Sequence, residues 1–460
     1  MSGFSAMIGN PPFVVYKNLK SSIGEESRNF ILQYIANNRK GLVDLSVYFL
    51  LQFESLSSKK GIFGLITTNS VKQGDNRKIG LEYLIGSGVR IFNANTDIAW
   101  GQGATVVVDS ISLSRKEVHP ITLNGVVVKE IDEFLSIPGV TRGNPRSIPE
   151  NVERSHVGSY LLGTGFILES NEAKDILKSS PNHSDVIFPY LGGKELNNNY
   201  SQKATRYAIN FFQMPIEEVI KYNSAYQIIL AKVKPFRMRK KDDNSYQLSK
   251  NLREKWWVYA NPRANLYRQI RDFDRVIAIA QVSKTMQVCF VDTRQILDQK
   301  LIIFCWDDYA TFAFLSSNIH IVWAMKYSSR MRNDLSYSPK RVFHTLKLPK
   351  MSAELESLGK ELDELRNAYM QYHKIGLTEL YKLVGDTLNQ NGSIKNIRIL
   401  HQEIDKEVIK CYGWDDLELN HIFRETTQGW RWIFDLKSEL EILERLLKLN
   451  LLIGQDITNE

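Results

Sequence analysis

The first 140 residues alternate short apolar runs with helical patterns, and this alternation constrains the fold more than any other feature of the sequence. Residues 61–67, 89–94 and 104–113 are short runs rich in β-branched side chains, which predict strands. Residues 76–85 predict a helix, and residues 44–53 predict an apolar helix or strand. Buried strands that alternate with helices favour an α/β fold, and we expect a mainly parallel sheet.

Composition changes twice along the chain and predicts three domains. Residues 138–149 hold three prolines and two glycines, which is typical of a linker. Residues 150–350 mix short strands, aromatic clusters and basic runs. From residue 351 the sequence is helical, with leucines at positions 355, 358, 362 and 365 that predict one packed helix face. We therefore predict domains over residues 1–140, 150–350 and 351–460.

The cysteine and hydropathy patterns exclude several classes of protein. The three cysteines lie far apart and form no Cys-x-x-Cys pair, so they predict neither a zinc ribbon nor a redox dithiol. The eight histidines show no metal-ligand spacing, and we expect no metal site. A sparse, odd number of cysteines fits a reducing compartment. With no apolar stretch long enough for a membrane span, we expect a cytoplasmic protein without a membrane partner.

The motif that carries chemistry is Asn10-Pro11-Pro12-Phe13, at the end of a short apolar run. It resembles motif IV of the amino-methyltransferases, above all the N6-adenine group. Taken alone, the motif leaves two interpretations open: a catalytic loop, or a plain Pro-Pro turn that closes a strand.

The resemblance implies a specific task for this loop. The exocyclic amine of adenine is a poor nucleophile because its lone pair is conjugated with the ring. The Asn10 side-chain carbonyl and the Pro11 main-chain carbonyl would accept its two N–H groups, and Pro12 would stiffen the loop. Phe13 would stack on a flipped-out base. The methyl donor would be S-adenosyl-L-methionine.

Further segments extend the resemblance along nearly the whole chain. Residues 44–49 (DLSVYF), 61–70 (GIFGLITTNS) and 74–77 (GDNR) follow the motif in the order seen in MmeI-like restriction–modification proteins. Residues 161–166 and 256–263 are similar to segments of that family's target-recognition region. The family resemblance implies a partial Rossmann-like α/β methyltransferase domain, a mixed α/β target-recognition domain and an α-helical carboxy-terminal region. Asp44 and Asn69 match positions near the pocket, where we expect pocket shaping and donor-side contacts.

The donor-binding half of such a methyltransferase is the part that we do not find. In this class the glycine-rich donor motif precedes the Asn-Pro-Pro-Phe loop. The Gly-x-Gly matches at residues 86–88, 101–103 and 163–165 all follow the loop, and we interpret them as turns. We also see no nuclease-like domain. Three explanations stay open: a truncated or mis-started reading frame, a split enzyme whose donor half is a second polypeptide, or a remnant that only binds DNA.

One segment carries the positive charge. Residues 226–275 contain thirteen basic and five acidic residues, an excess of eight that equals the net charge of the whole chain, +8. Interleaved aromatic residues and basic side chains favour a nucleic-acid surface over a plain solvated face. The predicted DNA contacts are Arg237, Arg239, Lys240, Lys241, Arg253, Arg263 and Arg268, with Tyr337 and Arg341 as weaker candidates.

Three functions are compatible with the sequence. The first is a DNA adenine-N6 methyltransferase component of a restriction–modification or phage-defence system, incomplete on its own. Its partners would be double-stranded DNA and a second polypeptide that carries the donor half or a nuclease. The second is a DNA-recognition subunit without independent catalysis. The third, an amino-methyltransferase that acts on glutamine in a protein or on a small molecule, is disfavoured by the large basic region.

Overall fold

The chain divides into two compact units. The computed structural model describes residues 3–99, 107–136, 145–331, 334–426 and 428–456. Contacts within the chain separate an amino-terminal unit, Met1–Arg142, from a carboxy-terminal unit, Gly143–Glu460. Residues 138–144 of the predicted linker lie outside the described residues.

The amino-terminal unit is a six-stranded sheet with helices. Its strands are β1 (Phe4–Gly9), β2 (Ser57–Thr68), β3 (Arg90–Ala99), β4 (Val107–Ser114), β5 (Ile121–Leu123) and β6 (Val126–Val128), in the order β1-β2-β4-β3-β5-β6. Its α-helices are α1 (Tyr16–Ile23), α2 (Glu25–Phe30), α3 (Leu45–Leu56), α4 (Gly74–Arg77) and α5 (Tyr83–Gly86). A 3₁₀ turn, Asn69–Lys72, follows β2, and π-helical turns continue α2 and α4.

The sheet is mixed, so the prediction of a mainly parallel sheet is wrong. Strand β1 pairs with β2, and β3 with β5, in parallel. The β2–β4, β3–β4 and β5–β6 pairs are antiparallel. Only residues 100–106 separate β3 from β4, and a parallel crossover needs about a dozen residues or more. The predicted strands at 61–67 and 89–94 and the helix at 76–85 are confirmed. Residues 44–53 are resolved as helix α3.

Helix α3 packs its apolar side chains on the sheet, and β1 lies at the sheet edge. Leu50 of α3 and Phe63 of β2 belong to the buried core of this unit. A Cβ on Gly9 would lie 2.9 Å from the Phe53 ring, so a glycine lets β1 approach α3 closely. The apolar side chains of β1 are largely uncovered, because Ile8 is 91% exposed and Phe4 is 60% exposed. Among the described residues, β1 pairs only with β2.

The carboxy-terminal unit contains short strands and many helices. Its strands are β7 (Ser155–Val157), β8 (Ile167–Glu169), β9 (Ile187–Leu191), β10 (Arg206–Ile209), β11 (Arg275–Ala280), β12 (Val282–Ser283), β13 (Cys289–Asp292), β14 (Ile296–Leu297), β15 (Leu301–Phe304), β16 (Ser329–Met331), β17 (Asp334–Ser336), β18 (His421–Thr426) and β19 (Gly429–Phe434). Its shorter helices are α6 (Pro149–Val152), α7 (Ser170–Ser179), α8 (Gly193–Asn198), α9 (Ile216–Val219), α10 (Asn223–Lys232), α11 (Lys234–Arg237), α12 (Lys250–Glu254) and α13 (Ala264–Ile270).

The remaining helices of this unit form its apolar centre and its carboxy-terminal part. They are α14 (Tyr309–Ser316), α15 (Asn318–Tyr327), α16 (Ala353–His373), α17 (Leu377–Gly385), α18 (Gly392–Cys411) and α19 (Leu436–Asp456). The strands form sheets of order β14-β9-β10-β8, β13-β11-β15-β7 and β12-β17-β16, and the hairpin β18-β19. No helix in the described part of the chain is long and apolar enough to span a membrane.

One hydrophobic core joins the two regions that we predicted as separate domains, residues 150–350 and 351–460. Phe304 of β15 and Phe312 of α14 belong to the same buried cluster as Leu355 and Leu362 of α16. The buried positions of these leucines agree with the predicted helix face. A boundary at residue 350 therefore does not separate two cores in this structure, because α16 is packed directly on α14.

Candidate functional site

The Asn10–Phe13 loop follows the carboxyl end of β1 and precedes α1. Pro11 is buried and Phe13 is half-buried, whereas Asn10 and Pro12 are exposed. The Pro12 carbonyl accepts a hydrogen bond from the Val14 amide, at 2.9 Å. Neither the Asn10 side chain nor the Pro11 carbonyl is hydrogen-bonded to any residue that the structure describes. The two oxygens that the resemblance assigns to substrate are thus free to accept hydrogen bonds.

Asp44 ties this loop to the segment that follows β2. Its Oδ1 accepts a hydrogen bond from the Tyr16 amide at the start of α1, at 2.9 Å. Its Oδ2 accepts one from Ser70 Oγ, at 2.7 Å, and one from Asn76 Nδ2, at 2.9 Å. The Asp44 amide in turn donates to Asn76 Oδ1, at 2.8 Å. The buried carboxylate therefore holds the chain after the loop in place, and its role in shaping a pocket stays a prediction.

Asn69 lies at the same edge of the sheet as Asn10. Strands β1 and β2 are parallel, with Gly9 opposite Leu65, so the residues that follow each strand emerge at one edge. The Nδ2 atom of Asn69 is buried and has no hydrogen-bond partner. Asn69 thus lies at the loop's edge of the sheet with an unused donor, and its contact with a methyl donor stays a prediction.

Tyr48 is a second orphaned polar group beside Asp44. It lies one turn along α3 from Asp44, and its hydroxyl is buried without a hydrogen-bond partner. Burial raises the pKa of Tyr48 to about 12, so the hydroxyl stays protonated at neutral pH. It is thus available as a neutral donor.

Several residues that were not predicted from the sequence also shape this site. Ser70 and Asn76 bind Asp44, and Lys72 forms an ion pair of 3.1 Å with the buried Asp109 of β4. That ion pair fixes the turn after β2 against the neighbouring strand. The available signal was the polar run Thr68-Asn69-Ser70 directly after a predicted strand, since polar residues at strand ends often form ligand sites.

The densest basic cluster forms a tight hairpin, which we call the basic hairpin (residues 239–247). Lys240 and Tyr246 form an isolated antiparallel bridge, and the Lys241 amide donates to the Ser245 carbonyl, at 2.8 Å. Asn244 takes the left-handed conformation, with φ 62°, that such a turn needs. The hairpin leaves Arg239, Lys240 and Lys241 exposed, as a DNA-binding surface requires.

Other predicted DNA contacts differ in how they present their charge. The Arg253 guanidinium lies 3.7 Å from the centre of the Tyr246 ring, which joins it to the basic hairpin. Arg268 is exposed and donates to Asn265 Oδ1, at 3.0 Å. Arg263 is half-buried and lies at the start of α13. The structure keeps these charges accessible, and their contact with DNA stays a prediction.

Arg237 was predicted to contact DNA, and the structure contradicts this. The residue is fully buried, and its guanidinium donates to four main-chain carbonyls, those of Leu161, Leu162, Leu252 and Val258. Burial lowers its pKa to about 10, which still leaves it charged at neutral pH. A buried guanidinium that satisfies carbonyls cannot reach a phosphate.

Tyr337, a weaker candidate, is also excluded as a DNA contact. Its side chain is fully buried in the main core of the carboxy-terminal unit. Its hydroxyl lies 2.9 Å from His320 Nε2, so its polar atom is satisfied inside the protein. Arg341, by contrast, is exposed.

Two Gly-x-Gly matches lie in turns, as predicted, and residues 163–165 enter the 3₁₀ turn Thr164–Phe166. Gly88 has φ 89° at the end of α5. A Cβ on Gly165 would lie 2.5 Å from the Lys232 Cβ, so this glycine permits close packing against α10. The third match, at residues 101–103, lies outside the described residues. In the part of the chain that the structure covers, no group of three or more His, Cys, Asp or Glu side chains is placed to hold a metal ion.

Comparisons with known proteins confirm the predicted resemblance. Residues 1–84 match the family model of the Eco57I restriction-modification methylase, and residues 144–350 match that of the MmeI target recognition domain. DNA methyltransferase A of Bacillus subtilis (strain 168) is 21% identical over 433 residues, which is 90% of this chain. The type IIL restriction-modification enzyme MmeI, solved in complex with DNA, shares 17% identity with a TM-score of 0.69 over 99% of this chain.

These relatives are longer than the present sequence. The chain covers 46% of DNA methyltransferase A and 57% of the MmeI chain. It thus spans about half the length of the relatives that it matches. The family models place a methylase segment in the amino-terminal unit and a target recognition domain in the carboxy-terminal unit.

Exchanging the Asp44–Asn76 pair tests whether this hydrogen-bond network holds the loop. D44N would set two amide donors against each other, so we expect faster hydrogen exchange in residues 10–16 and 69–77 and a loss of about 1–3 kcal/mol in the free energy of unfolding. The double variant D44N/N76D restores one acceptor opposite one donor. It should recover most of both losses, measured by hydrogen-exchange mass spectrometry and urea unfolding. Equal losses in both variants would contradict the pairing.

The two neighbouring arginines Arg237 and Arg239 should behave in opposite ways. R237A leaves four buried carbonyls without donors, so we expect the free energy of unfolding to fall by about 3 kcal/mol or more. R239A removes an exposed side chain and should change stability by no more than about 0.5 kcal/mol. Urea unfolding of both variants measures this difference. A stable, well-folded R237A protein would show that the buried hydrogen bonds contribute little.

Proposed function

We propose that this chain carries the catalytic loop and the target-recognition part of a site-specific DNA adenine-N6 methyltransferase in a restriction–modification system. The observation that carries the proposal is the free pair of acceptors on Asn10 and Pro11, in a segment that matches a restriction-modification methylase. A target recognition domain follows in the same chain. The order of the two segments agrees with a protein that methylates the DNA it recognises.

The loop suits the chemistry of an exocyclic amine. The N6 group of adenine becomes nucleophilic when both of its N–H groups donate to fixed acceptors, because its lone pair then turns away from the ring. The Asn10 amide oxygen and the Pro11 carbonyl supply such acceptors, and Asp44 fixes the chain that follows them. Phe13, half-buried beside them, offers a ring face on which an extruded base can stack.

S-adenosyl-L-methionine would supply the methyl group as an electrophilic sulfonium carbon. The buried, unpartnered Asn69 Nδ2 and the Tyr48 hydroxyl fit a polar ligand at this sheet edge. The described glycine pairs do not fit its adenosyl end, since Gly88 forms a turn and Gly165 packs against α10. Residues of this chain would therefore orient the adenine amine and accept hydrogen bonds from its N–H groups. Other groups would hold most of the methyl donor.

The exposed edge of β1 supports a second polypeptide segment at this site. An uncovered apolar strand with unpaired main-chain groups is a template for another strand. Ile8 and Phe4 form such an edge, directly before the Asn10–Phe13 loop. We propose that a strand beside β1, from a longer form of the chain or from a separate polypeptide, brings the donor-binding residues. This arrangement would place the donor at the carboxyl ends of adjacent strands.

The alternative function is a DNA-recognition subunit without catalysis of its own. The exposed basic hairpin supports DNA binding regardless of catalysis, because its three consecutive cations, Arg239, Lys240 and Lys241, can neutralise phosphates. The Asn10 variant described next separates the two functions.

Replacing Asn10 should abolish methylation without affecting DNA binding. In a complex reconstituted with the donor-binding polypeptide, N10A removes one of two acceptors, so we expect the methylation rate to fall about 100-fold or more. Transfer of tritiated methyl groups to mixed-sequence duplex DNA measures the rate, and fluorescence anisotropy measures binding. N18A, on the exposed side of α1, is the matched control and should retain full activity. If N10A kept wild-type activity, Asn10 would not be the N6 acceptor.

The chain of 460 residues should transfer little or no methyl group by itself. We expect tritium incorporation close to background with the purified chain, and a strong increase when a polypeptide that carries a donor-binding motif is added, because it would supply the donor site. The replacement I8K, which places a charge on the free edge of β1, should prevent this rescue. Robust incorporation by the chain alone would refute the proposed division of the site.

A further inference from the structure

A second cationic surface lies outside the basic hairpin. An open cleft of about 530 Å³ in the carboxy-terminal unit is lined by three cationic side chains, Arg263, Lys340 and Arg341, and four serines. We call it the serine cleft. The serines are Ser155, Ser329, Ser336 and Ser338. No carboxylate occurs among the described residues that line it, so its charge is not neutralised from within.

The charged ends of these cations are free. Arg263 donates through Nε to the Gly158 carbonyl, at 3.3 Å, which fixes the side chain and leaves both terminal nitrogens available. Lys340 and Arg341 are exposed and form no ion pair with any residue in the described ranges. This differs from Arg237, whose guanidinium is satisfied by carbonyls.

The backbone of Arg263 has an energetically unfavourable conformation. Arg263 has φ 57° and ψ 47°, a left-handed conformation that costs a residue with a side chain about 1 kcal/mol. The Arg263 amide donates a hydrogen bond to Asn261 Oδ1, at 3.2 Å, which supports this conformation. Strained non-glycine positions concentrate where a side chain must be aimed at a ligand.

The surroundings of His344 at the cleft disfavour an additional positive charge. Burial lowers the pKa of His344, and the nearby His156 and Lys340 lower it further, because both disfavour an additional positive charge. Its Nε2 lies 3.0 Å from Ser155 Oγ, so the neutral ring is held by a hydroxyl on the cleft wall. A bound anion would relieve this repulsion.

We infer that the serine cleft binds phosphodiester groups of the DNA backbone, as a contact surface distinct from the basic hairpin. The inference rests on the proposed function, which requires DNA binding, and it names where a strand would lie. Guanidinium forks bind phosphate oxygens in pairs, ammonium groups add charge, and serine hydroxyls donate the remaining hydrogen bonds. The two surfaces come from different elements, since the cleft combines β7, the start of α13 and the segment after β17.

The experiment compares two pairs of charge removals of equal size. K340A/R341A removes two exposed cations from the cleft, and K360A/K395A removes two from α16 and α18, which do not line it. Binding of a mixed-sequence duplex of about 30 base pairs is measured by fluorescence anisotropy across a salt series. We expect the cleft variant to weaken binding about tenfold at 0.1 M salt and to lower the salt slope by nearly two, whereas the control stays near wild type. R263G, which fits the left-handed backbone, should also weaken binding without lowering thermal stability.

The outcomes separate this inference from the proposed function. If the wild-type chain binds duplex DNA and R239A/K240A weakens it, but K340A/R341A matches the control, the cleft inference fails and DNA binding stands. If the wild-type chain shows no salt-dependent DNA binding, both fail. An equal loss in the cleft and control pairs would show only a general charge effect and would overturn the inference.

Discussion

The hydrogen bonds of the Asp44 carboxylate are the constraint on which the candidate catalytic site depends. The Asn10–Phe13 loop is short, partly exposed and at the end of an edge strand, and its prolines restrict the main chain without fixing the loop to the rest of the unit. Asp44 holds the chain just after the loop and binds both Ser70 and Asn76. Since each of these partners belongs to a different segment, one buried side chain sets the geometry of the whole sheet edge.

The local elements of the amino-terminal unit could be predicted from sequence, whereas the sheet could not. Hydrophobic periodicity identifies β2 because it reflects which face of a segment is buried, whereas the apolar residues 44–53 left helix and strand open until α3 was seen. Strand direction depends on how far the connection can reach, and the short link between β3 and β4 makes their pairing antiparallel. The resemblance located Asn10 and Asp44, but the partners Ser70 and Asn76 depend on tertiary contacts that leave no periodic signal.

In the carboxy-terminal unit, the region that matches the target recognition domain model and the terminal helices share one scaffold. Asp405 of α18 accepts hydrogen bonds from the Asn318 amide and side chain of α15, and it forms a buried pair of 2.8 Å with His421 of β18. A buried carboxylate with this many partners couples the elements that carry them, because breaking one contact leaves a charge unsatisfied. The helical periodicity that begins at residue 351 carries no sign of these contacts between distant elements. For that reason a domain boundary at residue 350 was expected.

Net charge alone does not locate a nucleic-acid surface, because many basic side chains bind the protein itself. Arg237, Arg366 and Arg398 are buried and donate to main-chain carbonyls. Arginine suits this role, since its charge is spread over a planar group with five donors. These residues add to the formal charge but offer nothing to a phosphate. The relevant quantity is the number of cations with free charged ends on one surface. By that measure the serine cleft, where Lys340 and Arg341 lie outside residues 226–275, is as strong a candidate as the basic hairpin.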